Sequence, residues 1–250
     1  MGIYENFAPL YDRCMKDIPY GKWVSQIEKI WSAHRLKPGL VLELGCGTGN
    51  MAYKFAERGY DMIAIDSSVN MLSEAFGKTS EYRDRILFLQ QDMQELELYG
   101  TVDAVFSVFD CMNYIPGNNG LLKVFKNVSN YLNPGGLFVF DMNTENKYIR
   151  LSDENPLSRV FPDFSYIWEN TYDGTKKTNK CEAVFFISAN KKGLYKKVTE
   201  LHYQRVHGNA EIESAANDAG LGILAALDAD TMKTPRAGSE RLYYVLKKTG

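Results

Sequence analysis

The chain is short of the residues and patterns that mark several classes of function. Its 250 residues include only 4 cysteines and 3 histidines. Cys14, Cys46, Cys111 and Cys181 stand far apart with no paired spacing. Neither a metal site nor a disulfide framework is therefore expected, and reduced thiols in a cytoplasmic protein are the plain reading. No apolar run approaches the roughly 20 residues needed to span a bilayer. Residues 1–6 lack the basic segment and apolar stretch of a secretory signal, so no membrane partner is expected. A formal net charge of -2 gives no general attraction for polyanions. Stacking aromatics form no recognisable nucleic-acid motif, so nucleic acid is not an expected partner. Internal repeats and low-complexity segments are also missing.

What remains is an ordinary folding composition, 45% hydrophobic and 24% charged, suited to one domain over residues 1–250. Residues 40–44, 62–65, 86–89, 102–108 and 137–140 read as short buried strands. Helices are expected between them at 51–58, 69–76 and 121–131, the last closed by Asn133-Pro134-Gly135-Gly136. Regular alternation of this kind implies a parallel sheet with right-handed crossovers. The expected fold is α/β, a Rossmann-like sheet of seven mostly parallel strands with helices on both faces. Its core covers about 34–145 and 207–250, completed by a helix at 210–219 and strands at 223–227 and 242–247. A helical segment at 1–33 precedes the core. An antiparallel three-stranded insertion at about 160–206 interrupts it, with turns at Asp173-Gly174 and 190–193. That insertion is expected to be an independent layer acting as a lid.

Ligands in such sheets bind beyond the carboxyl ends of the strands, where the informative residues fall. The first strand runs into Glu43-Leu44-Gly45-Cys46-Gly47-Thr48-Gly49-Asn50. Glycines at alternate positions bring bare backbone close to a ligand, and the following helix aims its N–H groups there. A dinucleotide site wants G-x-G-x-x-G, whose third glycine would fall at Asn50. Glu43 would also sit poorly beside a pyrophosphate, whereas it suits a ligand carrying an ammonium and a sulfonium. Asp66 ends the second strand, where its two oxygens could accept from paired ribose hydroxyls. Gln91-Asp92-Met93 follows the third strand, where an acid could accept from an adenine amino group.

The stretch from Glu43 to Asn50, with Asp66-Ser67-Ser68 and Met71-Leu72, resembles the class I S-adenosylmethionine-dependent methyltransferases. Asn133-Pro134-Gly135-Gly136 before a strand is similar to theirs as well. Tyr4-x-x-Phe7-Ala8-x-x-Tyr11-Asp12 resembles the bacterial small-molecule branch with sugar-amine N-methyltransferases and glycine N-methyltransferase-like enzymes. The resemblance implies S-adenosylmethionine as cofactor. Gly45, Cys46, Gly47 and Gly49 would cradle its methionine part, with Glu43 holding the loop or the ammonium. Asp66 and Ser67 would take the ribose, Met71 the adenine face, and Gln91, Asp92 and Met93 the adenine edge. Phe109 would lie beside the methionine portion. Tyr11 and Trp23 would close over the sulfonium, although simple helix packing explains Trp23 equally well.

Methyl transfer from a sulfonium needs alignment and exclusion of water more than a fixed catalytic signature. The expected partner is a small-molecule acceptor, methylated at nitrogen or oxygen, with a homodimer left open. Asp110, Asn113 and Tyr114 follow the fourth strand on the acceptor side. Glu200, His202 and Gln204 share one face of a strand by alternation, and His202 is the candidate base. Lysines of the insertion could attract an anionic acceptor, but keeping sheet edges soluble is the favoured reading. Two other functions remain in competition, a sensor that binds the cofactor without turnover and, disfavoured by the glycine spacing, a nicotinamide-dependent oxidoreductase.

Overall fold

A computed structural model describes residues 7–78, 80–189 and 193–249. Tyr4 of the N-terminal motif and residues 190–192 of the expected second turn lie outside them. In chain order the elements are α1 (Ala8–Cys14), α2 (Tyr20–Ala33), β1 (Leu40–Leu44), α3 (Asn50–Ala56), β2 (Asp61–Asp66), α4 (Val69–Gly77), β3 (Ile86–Gln90) and β4 (Val102–Ser107). There follow α5 (Gly117–Tyr131), β5 (Leu132–Asn143), α6 (Glu145–Asp153), β6 (Leu157–Val160), β7 (Phe164–Asp173), β8 (Thr178–Ser188), β9 (Tyr195–Arg205), α7 (Asn209–Asp218), β10 (Leu221–Asp228) and β11 (Arg241–Lys248).

Seven strands form the main sheet in the order β10-β11-β5-β4-β1-β2-β3. Only β11 runs against its neighbours, pairing antiparallel with both β5 and β10. The central strands are apolar on both faces because both are covered. On one face Val41 packs with Trp31, Phe55 and Phe106. On the other, Leu42 and Leu44 meet Val124, Phe125 and Ile212. The strand order reverses between β1 and β4, so the crevice outside their carboxyl ends is the natural ligand position. No helix among the described residues is long and apolar enough to cross a membrane.

The second sheet is four-stranded, β6-β7-β8-β9, where three strands were expected. The additional strand, β6, is four residues long and mostly exposed, so it carries no alternation to read. The sheet is also not an independent layer. Phe7 and the α1 residues Leu10 and Cys14, spaced along one helical face, pack against Phe164, Tyr166, Phe185 and Val198 of its inner face. The N-terminal segment therefore lies between the two sheets.

Asn133-Pro134-Gly135-Gly136 was expected to close a helix ahead of the fifth strand, yet it lies inside β5 as a bulge. Leu132 pairs with Val102 and Leu137 with Ala104, so these residues stand opposite Asp103 alone. Asn133 donates to Asp103 Oδ1 at 2.9 Å. Gly136 fits because a Cβ there would come within 2.7 Å of the Asp103 carbonyl and 2.6 Å of the Leu132 side chain. Gly136→Ala is expected to cost about 1–3 kcal/mol of unfolding free energy through overpacking. Gly100→Ala, with nothing within 4 Å of its Cβ, should stay within about 0.5 kcal/mol. Urea denaturation compares the two, and equal midpoints would refute a tightly packed bulge.

Candidate active site

The carboxyl ends of β1, β2, β4 and β5 open into a cavity of about 900 Å³ that is roofed by the antiparallel sheet and the N-terminal segment. Its floor is the glycine loop. The Gly45 and Cys46 amides both donate to the Ile65 carbonyl at 2.9 Å, which draws the loop against β2. A Cβ on Gly45 would meet the Cys111 sulfur at 2.8 Å, so a side chain there is excluded by contact as well as by its φ of +73°. A Cβ on Gly49 would strike the Phe88 ring at 2.9 Å. Gly49 thus lets α3 approach β3 and does not line the cavity, whereas Gly45, Cys46 and Gly47 do.

Asp66 lines the cavity, but its first role is internal. One carboxylate oxygen accepts the Gly47 amide at 2.7 Å and the other the Ser68 amide at 2.8 Å. Burial pushes its pKa up, against the pull of those two amides. Glu43 is 4% exposed, and its Oε2 has no hydrogen-bond partner among the described residues. Burial and the Asp66 charge push its carboxyl well above the usual range, more strongly than the Ala52 amide and Lys78 pull it down. Around the far end lie Ser67, Met71, Gln91, Asp92 and Met93. The Gln91 side-chain amide is already engaged, donating to and accepting from the Glu97 backbone at 2.9 Å each. Asp92 accepts the Gln94 amide at 2.8 Å.

Beyond β4 the chain makes a strained turn. Phe109 and Asp110 both have positive φ, 71° and 55°, unusual for residues with side chains. The buried Asp141 carboxylate holds this turn, accepting the Asp110 amide at 2.7 Å and the Phe109 amide at 3.1 Å. Arg241, from β11, reaches Asp110 at 3.3 Å and Asp141 at 3.4 Å. Its guanidinium lies over the rings of Trp23 and Phe109. Phe109 lines the cavity, while Trp23 stands outside the lining and packs on Phe109 with ring centroids 5.3 Å apart. Of the two aromatics expected over a sulfonium, Tyr11 alone faces the cavity.

The three candidate catalytic residues occupy different positions. Tyr114 lines the cavity. Asn113 is buried and braces the scaffold, donating to the Asn143 and Arg205 carbonyls and accepting the Asn143 amide. His202 is 2% exposed and lies behind the wall, its Nδ1 3.1 Å from the Tyr114 hydroxyl. Its Nε2 is 3.5 Å from Glu200 Oε2, and Glu200 Oε1 accepts the Phe7 amide at 3.0 Å. Gln204 donates to Asp110.

Sequence reading gave Asp12 no role beyond its place in the N-terminal motif, and passed over Asp141, Lys147 and Arg241. Asp12 accepts from Thr48 at 2.6 Å and Asn50 at 2.9 Å, and pairs with Lys78 at 2.8 Å. Burial pushes its carboxyl up, but those bonds and the Lys78 charge outweigh it and hold the pKa low. Asp141 follows the same rule that exposed Asp66, an acid near a strand end. Arg241 carries no local signal, because its partners lie far away in sequence.

Residues 41–136 match the family model described as a methyltransferase domain. YqeM of Bacillus subtilis (strain 168), designated a methyltransferase, is 33% identical over 99% of this chain and 98% of its own length. A solved S-adenosylmethionine-dependent methyltransferase from Clostridium acetobutylicum ATCC 824 superposes with a TM-score of 0.82 at 30% identity, covering 99% of both chains. The fold is also that of CalS10, an amino pentose methyltransferase from Micromonospora echinaspora solved with S-adenosylmethionine bound (TM-score 0.75, 18% identity, 100% and 99% covered).

Two expectations follow from the carboxylates. Asp66→Ala frees two amides at once, so it should lower the stability of the ligand-free protein by about 1–3 kcal/mol. Unchanged denaturation would refute the bracing role. Glu43 has a raised folded pKa, so its contribution is present at low pH and lost as pH rises through that value. Relative to wild type, ligand-free Glu43→Gln should therefore gain in unfolding free energy between about pH 5 and about pH 8. A difference that does not change with pH would show that the carboxylate is not destabilised by burial.

Proposed function

The chain belongs to the class I S-adenosylmethionine-dependent methyltransferases, and from that membership we propose that it methylates a nitrogen or oxygen of a small-molecule acceptor held under the antiparallel sheet. The observation that carries the cofactor half is Glu43 on the cavity floor, whose buried Oε2 lacks a hydrogen-bond partner among the described residues. A bound ammonium gives that carboxylate the positive charge its surroundings withhold, so the residues present fit this cofactor. The glycine loop and Glu43 would hold the methionine part. Asp66 and Ser67 would meet the ribose with the lone pairs not taken by backbone amides. Met71, Gln91, Asp92 and Met93 would border the adenine, and Tyr11 and Phe109 the sulfonium. When bound, S-adenosylmethionine supplies an electrophilic methyl carbon, which the acceptor's lone pair attacks while the old bond's electrons stay on sulfur.

The rest of the work falls to this chain: orienting the acceptor, excluding water and removing one proton. Tyr114 is the group at the cavity surface suited to the last task. With His202 Nδ1 accepting from the Tyr114 hydroxyl, the imidazole carries its hydrogen on Nε2, facing Glu200. The acceptor's proton then passes to the Tyr114 oxygen as the tyrosine's own proton passes to Nδ1, leaving an imidazolium beside a carboxylate. His202 and Glu200 are thus positioning residues, and Tyr114 the catalytic one. The roof excludes water: Trp168, Cys181, Tyr203 and Leu157 from its strands line the cavity beside Phe7 and Tyr11.

Calorimetry is expected to show saturable binding of S-adenosylmethionine and S-adenosylhomocysteine with much weaker binding of NAD. Equal or tighter NAD binding would sink the reading. In turnover of an acceptor found by screening, Tyr114→Phe should lower kcat by about 10²–10⁴ with cofactor affinity unchanged. His202→Gln should lower kcat without raising the KM for the acceptor or weakening cofactor binding. An unaltered kcat in the folded variant would assign His202 to packing alone.

A further inference from the structure

We propose that Lys147 is the docking point for an oxyanion, a carboxylate or a phosphate, carried by the methyl acceptor; this rests on the methyltransferase reading above. Among the described residues only two basic side chains, Lys147 and Arg241, line the cavity. They are in very different states. Arg241 is fully committed, bridging Asp110 and Asp141 and lying over two aromatic rings. Lys147 donates to Asn143 Oδ1 at 3.0 Å, a neutral oxygen that also accepts from Arg241 Nε at 3.3 Å. No carboxylate among the described residues comes within ion-pair distance of its ammonium.

A half-buried ammonium whose partner is a shared amide oxygen is poorly compensated for the water it has lost. Burial, and then the Arg241 charge, lower the Lys147 pKa, while Asp110, Asp141 and Glu240 pull it the other way from longer range. Arg241 already pairs directly with the first two of these and Arg150 with the third, at 2.6 Å. A ligand oxyanion supplies what the protein does not, a negative charge at contact with free N–H donors.

Position assigns the ligand. Lys147 is on α6, immediately after β5, across the cavity from Asp66 and Asp92 at the ends of β2 and β3. It therefore faces the acceptor's half of the cavity that Tyr148, Asn170 and Tyr203 also line. The lysines of the antiparallel sheet do not compete for this role. Lys176 pairs with Asp173 and Lys180 with Glu182 on exposed surface, and no described lysine of that sheet lines the cavity. The charge that selects an anionic acceptor thus lies within the cavity and not on its roof.

The test uses the full chain saturated with S-adenosylhomocysteine, so that the cofactor's own carboxylate cannot be the anion observed. Lysine side-chain NMR signals are followed while sodium phosphate, sodium acetate or sodium chloride is added at matched ionic strength. The Lys147 signal is identified by its loss in Lys147→Met. It should move saturably with phosphate or acetate but not chloride, and its pKa should rise by about one unit or more with the anion bound. A stronger response to phosphate assigns a phosphoester, and a stronger response to acetate a carboxylate. Lys147→Arg should retain anion binding, read from the thermal shift that phosphate or acetate gives above chloride, whereas Lys147→Met should lose it. Equal response to all three salts, or a surviving anion-specific thermal shift in folded Lys147→Met, overturns the proposal. Failure of the methyltransferase reading shows separately, as absent S-adenosylhomocysteine binding in calorimetry.

Discussion

A carboxylate accepting two backbone amides from a neighbouring strand end is the interaction on which this architecture rests. Asp66 ties the glycine loop to the start of α4, and Asp141 holds the strained turn after β4. Asp103, at the opposite edge, accepts the Gly39 and Leu40 amides with one oxygen and Asn133 with the other. Loops at strand ends have amides that no ladder satisfies, and a charged acceptor makes the stronger bonds available to them. The three acids respond in opposite directions. For Asp103 burial raises the pKa, but its amides and Asn133 outweigh it. For Asp66 and Asp141 burial wins. The two acids beside the cavity are therefore held at a cost that a cation, from the protein or from a ligand, relieves.

The sequence was most readable where one physical signal had one meaning. Strands buried on both faces and ending in glycine or aspartate announced themselves, and the expected bounds of β1 are those observed. Alternation correctly placed Glu200, His202 and Gln204 together, all on the buried face. It could not say what this face meets, the Phe7 amide at Glu200, the Tyr114 hydroxyl at His202 and Asp110 at Gln204, because period two is blind to what covers a sheet. The glycines of the loop looked equivalent, whereas Gly45 yields space to Cys111 beside the cavity and Gly49 to a core ring. Trp23 and Asn113 sit next to the right residues but one layer back. Contacts separated by 36 to 131 positions, such as Thr48 with Asp12 or Arg241 with Asp110, leave no local trace.

The N-terminal segment gives the two sheets a common hinge point. Its apolar face belongs to the antiparallel sheet. Its polar face, through Asp12, belongs to the glycine loop and to Lys78 after α4. Phe7 adds a third tie, its amide bound by the same Glu200 that faces His202. Displacement of α1 would therefore alter the floor, the roof and the Tyr114 hydrogen-bond chain together.

The reversed strand β11 also bears on how the molecule comes into being. It slots between β5 and β10 after both have been made, and it brings Arg241 to two carboxylates from elements far earlier in the chain. During synthesis the parallel half of the sheet can assemble as it emerges, but Asp110 and Asp141 then lack their guanidinium. Native-like closure of the cavity is consequently a late event, withheld until residue 241 is available. A nascent chain halted before that point would hold two neighbouring acids beneath an unfilled slot in the sheet.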